Sequence, residues 1–307
     1  MSRSFIACAL AIIGMAALAA PGTAGASDYP NKPIRIVVSY PPGGGMDVMA
    51  RQIAAPLSEH LKTPVIVDNR PGASGMIGAE HVARQAPDGY TLILAPADTH
   101  SINPHVYSSI RYDAKKDFAA VALLGNLPMT LVINPQLPAK NVDEFVKLVR
   151  EKPGKYSFAS WGVGSSSHVA METLMFEQKL DMLHVPFTGA APAITAVMAG
   201  QVDAMMVTLP TSEPQHQSGK VRILGVTPIQ RQNPAGFPLN GLPPQVAAWI
   251  GILAPAQTPP NIVARLNQGI KAVMNDPRVR SSLIKSGRTR SHSAQPAGVH
   301  QVLRCRL

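Results

Sequence analysis

Two loops carry the residues whose types and spacing are best suited to chemistry. The first is residues 40–46, where Pro41, Pro42 and three glycines separate an apolar run from a segment of helical spacing. Such a loop lets backbone N–H groups converge on an anion, and the helix end that follows adds about half a positive charge. No Lys-Ser or Lys-Thr pair follows and the spacing is not G-x-G-x-x-G, which argues against a nucleotide phosphate loop. A tight turn without a ligand is an equal alternative at this point.

The second loop, residues 160–166, offers the same arrangement later in the chain. It combines Gly162 and Gly164 with three serine hydroxyls, those of Ser165, Ser166 and Ser167. Two helix N-termini facing each other across a cleft would hold a carboxylate at a lower desolvation cost than a buried Lys or Arg. Helix capping by the serines is the alternative interpretation. The residue order misses the G-x-S-x-G elbow, so nucleophilic catalysis is not favoured.

Acidic and histidine side chains give weaker signals. Asp47 falls in the first turn of a predicted helix, four residues before Arg51, which favours a structural ion pair. Asp203 either closes a strand end or approaches the cleft, where it could bind a ligand ammonium. The histidines are scattered without H-E-x-x-H or cysteine pairs, so we expect neither a metal site nor a cofactor.

The elements that must position these loops alternate between apolar runs of strand length and segments of helical spacing. The runs at 34–40, 65–67 and 90–95 are separated by helical segments at 47–61 and 75–83, and this βαβα order predicts a parallel sheet. The pattern starts again from residue 131 to residue 227. Residues 249–254 and 259–274 then return to the first unit. The sequence therefore predicts two α/β lobes joined by a two-strand hinge, with a cleft between them.

Charge and composition narrow the function classes. The 307 residues carry a net charge of +10. Setting aside Arg3 and the four arginines after residue 287 reduces it to +5, and aromatic residues are only 5%, so a nucleic-acid groove is not expected. Residues 5–18 are apolar and Ala24-Gly25-Ala26 follows, which predicts a secretory signal peptide cleaved before Ser27 and export to the periplasm. The mature chain would keep a single cysteine, Cys305, and hence no internal disulfide.

With these residues placed, the chain resembles the periplasmic solute receptors of tripartite tricarboxylate transporters, the Bug family. The resemblance includes Pro42-Gly43-Gly44-Gly45-Met46-Asp47 and Gly189-Ala190-Ala191-Pro192-Ala193. Further matching blocks are residues 29–34, 69–75, 87–92, 103–104, 112–113, 162–165, 184–187, 200–203 and 249–255. The blocks occur in order over residues 29 to about 285, so chance agreement is implausible.

The resemblance implies a two-lobed periplasmic binding protein of type II-like fold, each lobe a mainly parallel sheet flanked by helices. The implied boundaries are a signal peptide at 1–26, a first lobe at 27–126 plus 228–287, a second lobe at 127–227 and a basic tail at 288–307. The implied ligand-binding residues are Tyr40, Gly44, Gly45, Asp47, Thr99, Ser160, Gly164, Ser165, Gly189, Ala190 and Asp203.

The predicted function is a non-enzymatic receptor that closes on a small carboxylate, as a monomer, and presents it to a membrane permease with one large and one small subunit. Two alternatives remain open at this point. One is a sensor that hands its closed form to a signalling protein. The other is a hydrolase or isomerase of small acids, which would need Asp47 or Asp203 as a general base.

Two segments depart from the family pattern. The chain between Arg231 and Trp249 is a few residues shorter than the family and lacks L-P-x-x-P-T with a following Glu. Residues 288–307 have none of the expected aromatic and acidic helix, and their Arg, Ser, His and Gln content resembles the product of a reading-frame change. We expect a first lobe that lacks one packing helix and is less stable for it.

Overall fold

The described part of the chain forms two five-stranded sheets with helices packed on their faces. The computed structural model describes residues 29–227 and 248–285. The first sheet has the order β2-β1-β3-β10-β4 and the second the order β7-β6-β8-β5-β9. We call the halves built on them the first and the second lobe. The strands of the first lobe are β1 (Ile34–Val38), β2 (Val65–Asn69), β3 (Thr91–Pro96), β4 (Phe118–Leu127) and β10 (Ala248–Pro255). Those of the second are β5 (Met129–Ile133), β6 (Ser157–Ser160), β7 (Leu183–Pro186), β8 (Ala204–Thr208) and β9 (Arg222–Val226).

Nine α-helices are described. The first lobe holds α1 (Gly45–Leu61), α2 (Met76–Ala83) after a 3-10 turn (Ala73–Gly75), α3 (Asn103–Val106) after a π turn (Asp98–Ile102), α8 (Pro260–Asn275) and α9 (Pro277–Lys285). The second lobe holds α4 (Val142–Arg150), α5 (Ser166–Gln178), α6 (Ala190–Met198) and α7 (Leu209–Gln217). Within the described ranges, every helix is too short or too polar to cross a membrane.

Each lobe contains one strand that runs against the other four. β10 pairs antiparallel with both β3 and β4, and β5 pairs antiparallel with both β8 and β9. The sheets are therefore mixed. The expectation of a mainly parallel sheet holds for four of the five strands in each lobe, which share one direction, but the pairs that include β10 or β5 are antiparallel. The reason is topological, because β5 follows the chain's crossing into the second lobe and β10 follows its return.

The first crossing is a single residue, Pro128, between β4 and β5. Thr227, just beyond β9, lies beside it and exchanges two hydrogen bonds with Met129, one from its backbone N–H at 2.8 Å and one to its hydroxyl at 2.9 Å. The outgoing and returning chains are thus tied together where they leave the second lobe. The return itself, residues 228–247, lies outside the described residues, as do the predicted signal peptide and the tail after 287, so the domain boundaries stay a prediction.

Helix α4 illustrates how the sequence directs this packing. Val142, Phe145, Val146 and Val149 recur at helical spacing and are buried. Asn141 caps the helix by accepting a hydrogen bond from the Glu144 N–H, and Glu144 in turn accepts one from Lys140 N–H. One apolar face and a capped N-terminus therefore fix the helix on its sheet.

Candidate ligand-binding site

A cavity of about 470 Å³ lies between the two lobes, at the carboxyl ends of β1, β3 and β8. In both sheets the strand order reverses at this point: β1 lies between β2 and β3, and β6 lies between β7 and β8. Ligands of open α/β sheets bind outside the strand ends at such a switch point. The cavity volume is within the usual range for small-molecule sites.

The N-terminus of α1 opens into this cavity. Gly44, Gly45 and Met46 line it, and the N-cap residue Gly44 offers no side chain to the first turn. The first N–H groups of a helix have no acceptor within it, and the helix dipole makes this end electropositive. Residues 40–46, which we call the glycine loop, therefore present the backbone N–H groups at the start of α1 to the cavity.

Two helices of the second lobe begin at the same cavity. Helix α6 follows Gly189 and α7 follows Thr208, neither residue provides a side-chain cap, and both line the cavity. A Cβ atom built on Gly45 would lie 3.4 Å from Thr211 Oγ1 in α7, and one built on Gly189 would lie 3.4 Å from Pro41 Cδ. The glycine loop thus sits between the two helix ends, so three uncapped N-termini converge there.

The N-terminus of α5, expected to be the second cradle, already holds an anion from the protein itself. Asp98, which follows β3 in the first lobe, accepts a 3.1 Å hydrogen bond from the Ser166 N–H at this helix start. Its other oxygen accepts bonds from the Trp161 indole N–H at 2.8 Å and the Tyr40 hydroxyl at 2.6 Å. A side chain of the first lobe therefore fills the position in the second lobe where a ligand carboxylate was expected.

The serines of that loop are correspondingly engaged within the second lobe, and their contact with ligand stays a prediction. Ser165 caps α5 by accepting a bond from the His168 N–H. Ser160 bonds the Gly162 carbonyl and His184 Nε2, and the Gly164 N–H donates to His168 Nδ1. The helix-capping interpretation therefore describes these residues better than the cradle.

The other predicted site residues divide into two groups. Tyr40, Gly44, Gly45, Gly189 and Ala190 line the cavity. Thr99 is buried behind it, bonded to the Pro96 carbonyl and to His100. Asp203 is not among the described residues that line the cavity, and it accepts bonds from the Ser157 N–H and hydroxyl at the amino ends of β6 and β8. That is the opposite end of β8 from Thr208, which lines the cavity.

Asp47 positions the glycine loop from behind. Its carboxylate accepts a 2.9 Å bond from the Gly43 N–H and pairs with the Arg51 guanidinium at 3.0 Å. Burial would raise the pKa of Asp47, but the hydrogen bonds from Arg51 and Gly43 outweigh it and lower the pKa. A carboxylate held ionised in this way is a poor general base. Neither acid nominated for catalysis is thus available in the cavity.

Tyr40 lines the cavity as a hydrogen-bond donor. Burial first, and then the adjacent Asp98 carboxylate, raise the pKa of the Tyr40 phenol well above its ordinary value. The phenol therefore keeps its proton and donates a hydrogen bond to Asp98. The described residues contain no cluster of three or more His, Cys, Asp or Glu side chains suited to a metal ion.

A second contact joins the lobes beside the cavity. The Val163 carbonyl of the second lobe accepts bonds from the Ser74 hydroxyl at 2.8 Å and the Tyr107 hydroxyl at 2.6 Å. Ser74 has a φ of +52°, a left-handed conformation unfavourable for serine. Asn103 donates to the Ser74 carbonyl at 3.0 Å, which holds this turn in place within the first lobe.

Sequence reasoning missed Asp98, Trp161, Tyr107 and Thr211. Asp98 had a usable signal, since it follows the buried strand β3 at the carboxyl end of a switch point. Its partner Trp161 lies in the loop after β6, which the topology places opposite. Thr211 lies in α7, and the two prolines of this helix indicate a break, so the sequence does not predict a helix there.

Comparison with known proteins identifies the family. Residues 49–296 match the model of the tripartite tricarboxylate transporter family receptor. The chain belongs to this family. One relative, a UPF0065 protein in the tcbD-tcbE intergenic region of Pseudomonas sp. (strain P51), is 37% identical over 266 residues, covering 84% of this chain and 79% of the relative.

Solved structures of receptors share the fold. Rpa4515 of R. palustris with adipate is 31% identical with a TM-score of 0.85, covering 90% of this chain and 94% of that one. MatC of Rhodopseudomonas palustris with bound malate is 33% identical with a TM-score of 0.83, covering 90% and 96%. The periplasmic binding protein BugD is 30% identical with a TM-score of 0.82, covering 90% and 94%. This receptor is thus a two-lobed periplasmic solute-binding protein and not an enzyme, as the sequence predicts.

Proposed function

We propose that this receptor captures a small carboxylate in the cavity between its lobes and delivers it to membrane permease subunits. The observation that carries the proposal is the convergence of the uncapped N-termini of α1 and α6 on one cavity, with the start of α7 beside them. Backbone N–H groups at helix starts bind carboxylates without a buried cation. The adipate and malate bound to two related receptors are carboxylates of the same size class.

The proposed contacts come from the glycine loop and from the start of α6. In the first lobe, Gly45 and Met46 offer N–H groups; in the second, Ala190 and Ala191 do. A ligand that touches both lobes favours the closed arrangement by its differential affinity for it. Tyr40 lines this site, and Asp47 supports the glycine loop from behind.

The remaining parts of the proposal concern the cell. Residues 1–26 would be a signal peptide removed before Ser27, and the exported receptor would act as a monomer. Its partner would be a permease with one large and one small subunit, which recognises the closed lobes. The family description, a transporter receptor, supports a permease partner.

The test is isothermal titration with a panel of mono-, di- and tricarboxylates, using the Gly45→Asp and Gly45→Asn variants as a matched pair. The two side chains are nearly the same size, and either would point toward Thr211. Only Asp places an anion beside the three helix starts. We expect Gly45→Asp to reduce affinity at least a hundredfold and Gly45→Asn about tenfold or less.

A ligand that binds wild type and Gly45→Asp equally well would contradict the proposed site. Failure of every acid in the panel to bind the wild-type receptor, at millimolar concentration, would contradict carboxylate capture itself. Thermal melts of both variants without ligand verify that each is folded.

A further inference from the structure

The cavity continues beyond the helix starts along two apolar helix faces. On α1, Met46 and Met49 line it after Gly45, and on α6, Ile194 and Met198 line it after Ala190. These positions recur at helical spacing, so each helix turns one face to the cavity. Met198 is eight residues beyond Ala190, which corresponds to about 12 Å along the helix axis.

The hinge side of the cavity is also apolar. Leu127 from the end of β4, Ala248 and Ile250 from β10, and Leu283 from α9 line it. Trp249 contributes to the same region while its indole N–H is already bonded to Ser101. A ligand extending from the helix starts therefore meets methionine, leucine and isoleucine side chains.

Among the described residues that line the cavity there is no Lys, Arg or His, and the charged side chain is Asp98. Asp98 is 2% exposed, and three donors already occupy its oxygens. Polar atoms away from the helix starts come from the amides Gln52 and Gln215 and the hydroxyl of Thr195. The positive potential is thus confined to the region where the three helices begin.

A second carboxylate on the ligand would have to leave water for these apolar walls, and the described lining residues offer no cation to meet it. Burying an unpaired charge is strongly unfavourable, whereas each buried methylene of the ligand contributes favourable free energy. An ammonium group would meet a carboxylate, Asp98, whose hydrogen-bonding capacity is largely used.

We infer that the ligand is a monocarboxylate with an uncharged, apolar body of up to about 12 Å, held by its carboxylate at the three helix starts and by its body between α1 and α6. This inference rests on the proposed function and narrows it. The related receptors with adipate and malate hold dicarboxylates, so the selectivity of this chain would lie in its cavity walls.

Two matched ligand pairs test the inference by isothermal titration. Hexanoate and adipate have the same length and differ by one carboxylate; 3-phenylpropanoate and phenylalanine differ by one ammonium group. We expect the monocarboxylate of each pair to bind at least tenfold more tightly. Adipate or phenylalanine binding as tightly as its partner would overturn the inference while leaving carboxylate capture intact. Absence of binding by all acids would instead defeat the proposed function.

Introducing a cation tests where the ligand body lies. Met198→Lys and Thr195→Lys both place an ammonium along α6, and Thr195 is exposed enough to accept the change without repacking. We expect each to improve adipate binding relative to hexanoate at least fivefold. The control is Phe176→Lys on α5, where the native side chain is 86% exposed and outside the cavity lining. An unchanged ratio in both folded cavity variants, or the same gain in the control, would overturn the placement.

Discussion

The Oδ2 atom of Asp98 accepts a 2.8 Å hydrogen bond from the indole N–H of Trp161, and the two residues belong to different lobes. The same carboxylate bonds the first turn of α5 through the Ser166 N–H. An internal anion therefore neutralises one helix start at the interface, while the starts of α1 and α6 face the cavity without a side-chain cap. The loop at residues 160–166 is thus occupied by Asp98 of the first lobe, whereas the glycine loop at residues 40–46 faces the cavity.

Replacing Asp98 should destabilise the protein. In Asp98→Ala the Trp161 indole and the Ser166 N–H lose their acceptor inside the interface, which costs about 2–4 kcal/mol of unfolding free energy. Urea denaturation measures this loss. Asp181→Ala, at an exposed position, serves as the control and should change stability by less than about 0.5 kcal/mol. Equal stability of the two variants would show that the Asp98 contacts contribute nothing net.

Removing the Tyr107 hydroxyl should loosen the lobes without unfolding either one. Tyr107→Phe keeps the ring but loses the 2.6 Å bond to the Val163 carbonyl of the other lobe. We expect small-angle X-ray scattering of the ligand-free variant to give a larger radius of gyration. Tyr156→Phe is the control, because Tyr156 precedes β6 within the second lobe. Scattering curves that coincide for wild type and Tyr107→Phe would contradict a role in closure.

Ser165→Ala separates helix capping from ligand contact. The Ser165 side chain accepts from the His168 N–H and is buried, so its loss should cost about 1 kcal/mol of stability. The affinity for the best carboxylate should change less than twofold. A large loss of affinity with unchanged stability would return this serine to the ligand site.

Stability should fall in mild acid because of His184. Burial first, and then the stacked ring of His168 at 4.0 Å, lower the pKa of His184 from 6.5 to about 4. The unfolded chain takes up a proton near pH 6.5 while the folded one resists until about pH 4, so stability is full above that window and declines as pH falls through it. His168 also faces Glu172 at 3.3 Å.

The measurement is the thermal midpoint of wild type and His184→Gln between pH 7 and pH 4. We expect a shallower decline in the variant. It should not vanish, because burial lowers the pKa of His100 to about 3 and acts in the same direction. Parallel pH profiles for the two proteins would show that His184 titrates normally when folded.

Most of the fold follows from periodicity, and the misses have local causes. The buried runs around Ile36 and Leu92 and the helical face of Phe145 are predicted at nearly the observed bounds. Strand β4 is missed because Ala119, Ala120 and Gly125 have weak strand preference. Helix α7 is missed because Pro210 and Pro214 indicate a break, although one falls in the first turn, where proline is tolerated.

Only part of the site is predictable from the sequence, because the contacts between the lobes depend on which loops face each other in the folded protein. The glycine loop has a recognisable composition, and it lies in the cavity. Nothing in the spacing of Asp98 and Trp161, 63 residues apart, indicates that they meet. For Asp203 the sequence leaves two alternatives open, and its bonds to Ser157 favour the one in which it closes a strand end.

The central claim is tested most directly by a crystal structure of the receptor with the carboxylate that stabilises it most. We predict both oxygens of that carboxylate within about 2.7–3.2 Å of backbone nitrogens at the starts of α1 and α6, contributed by Gly45, Met46, Ala190 or Ala191. Density for the carboxylate beside Ser165 at the start of α5, with Asp98 displaced, would contradict the account, as would a ligand that leaves these nitrogens unoccupied.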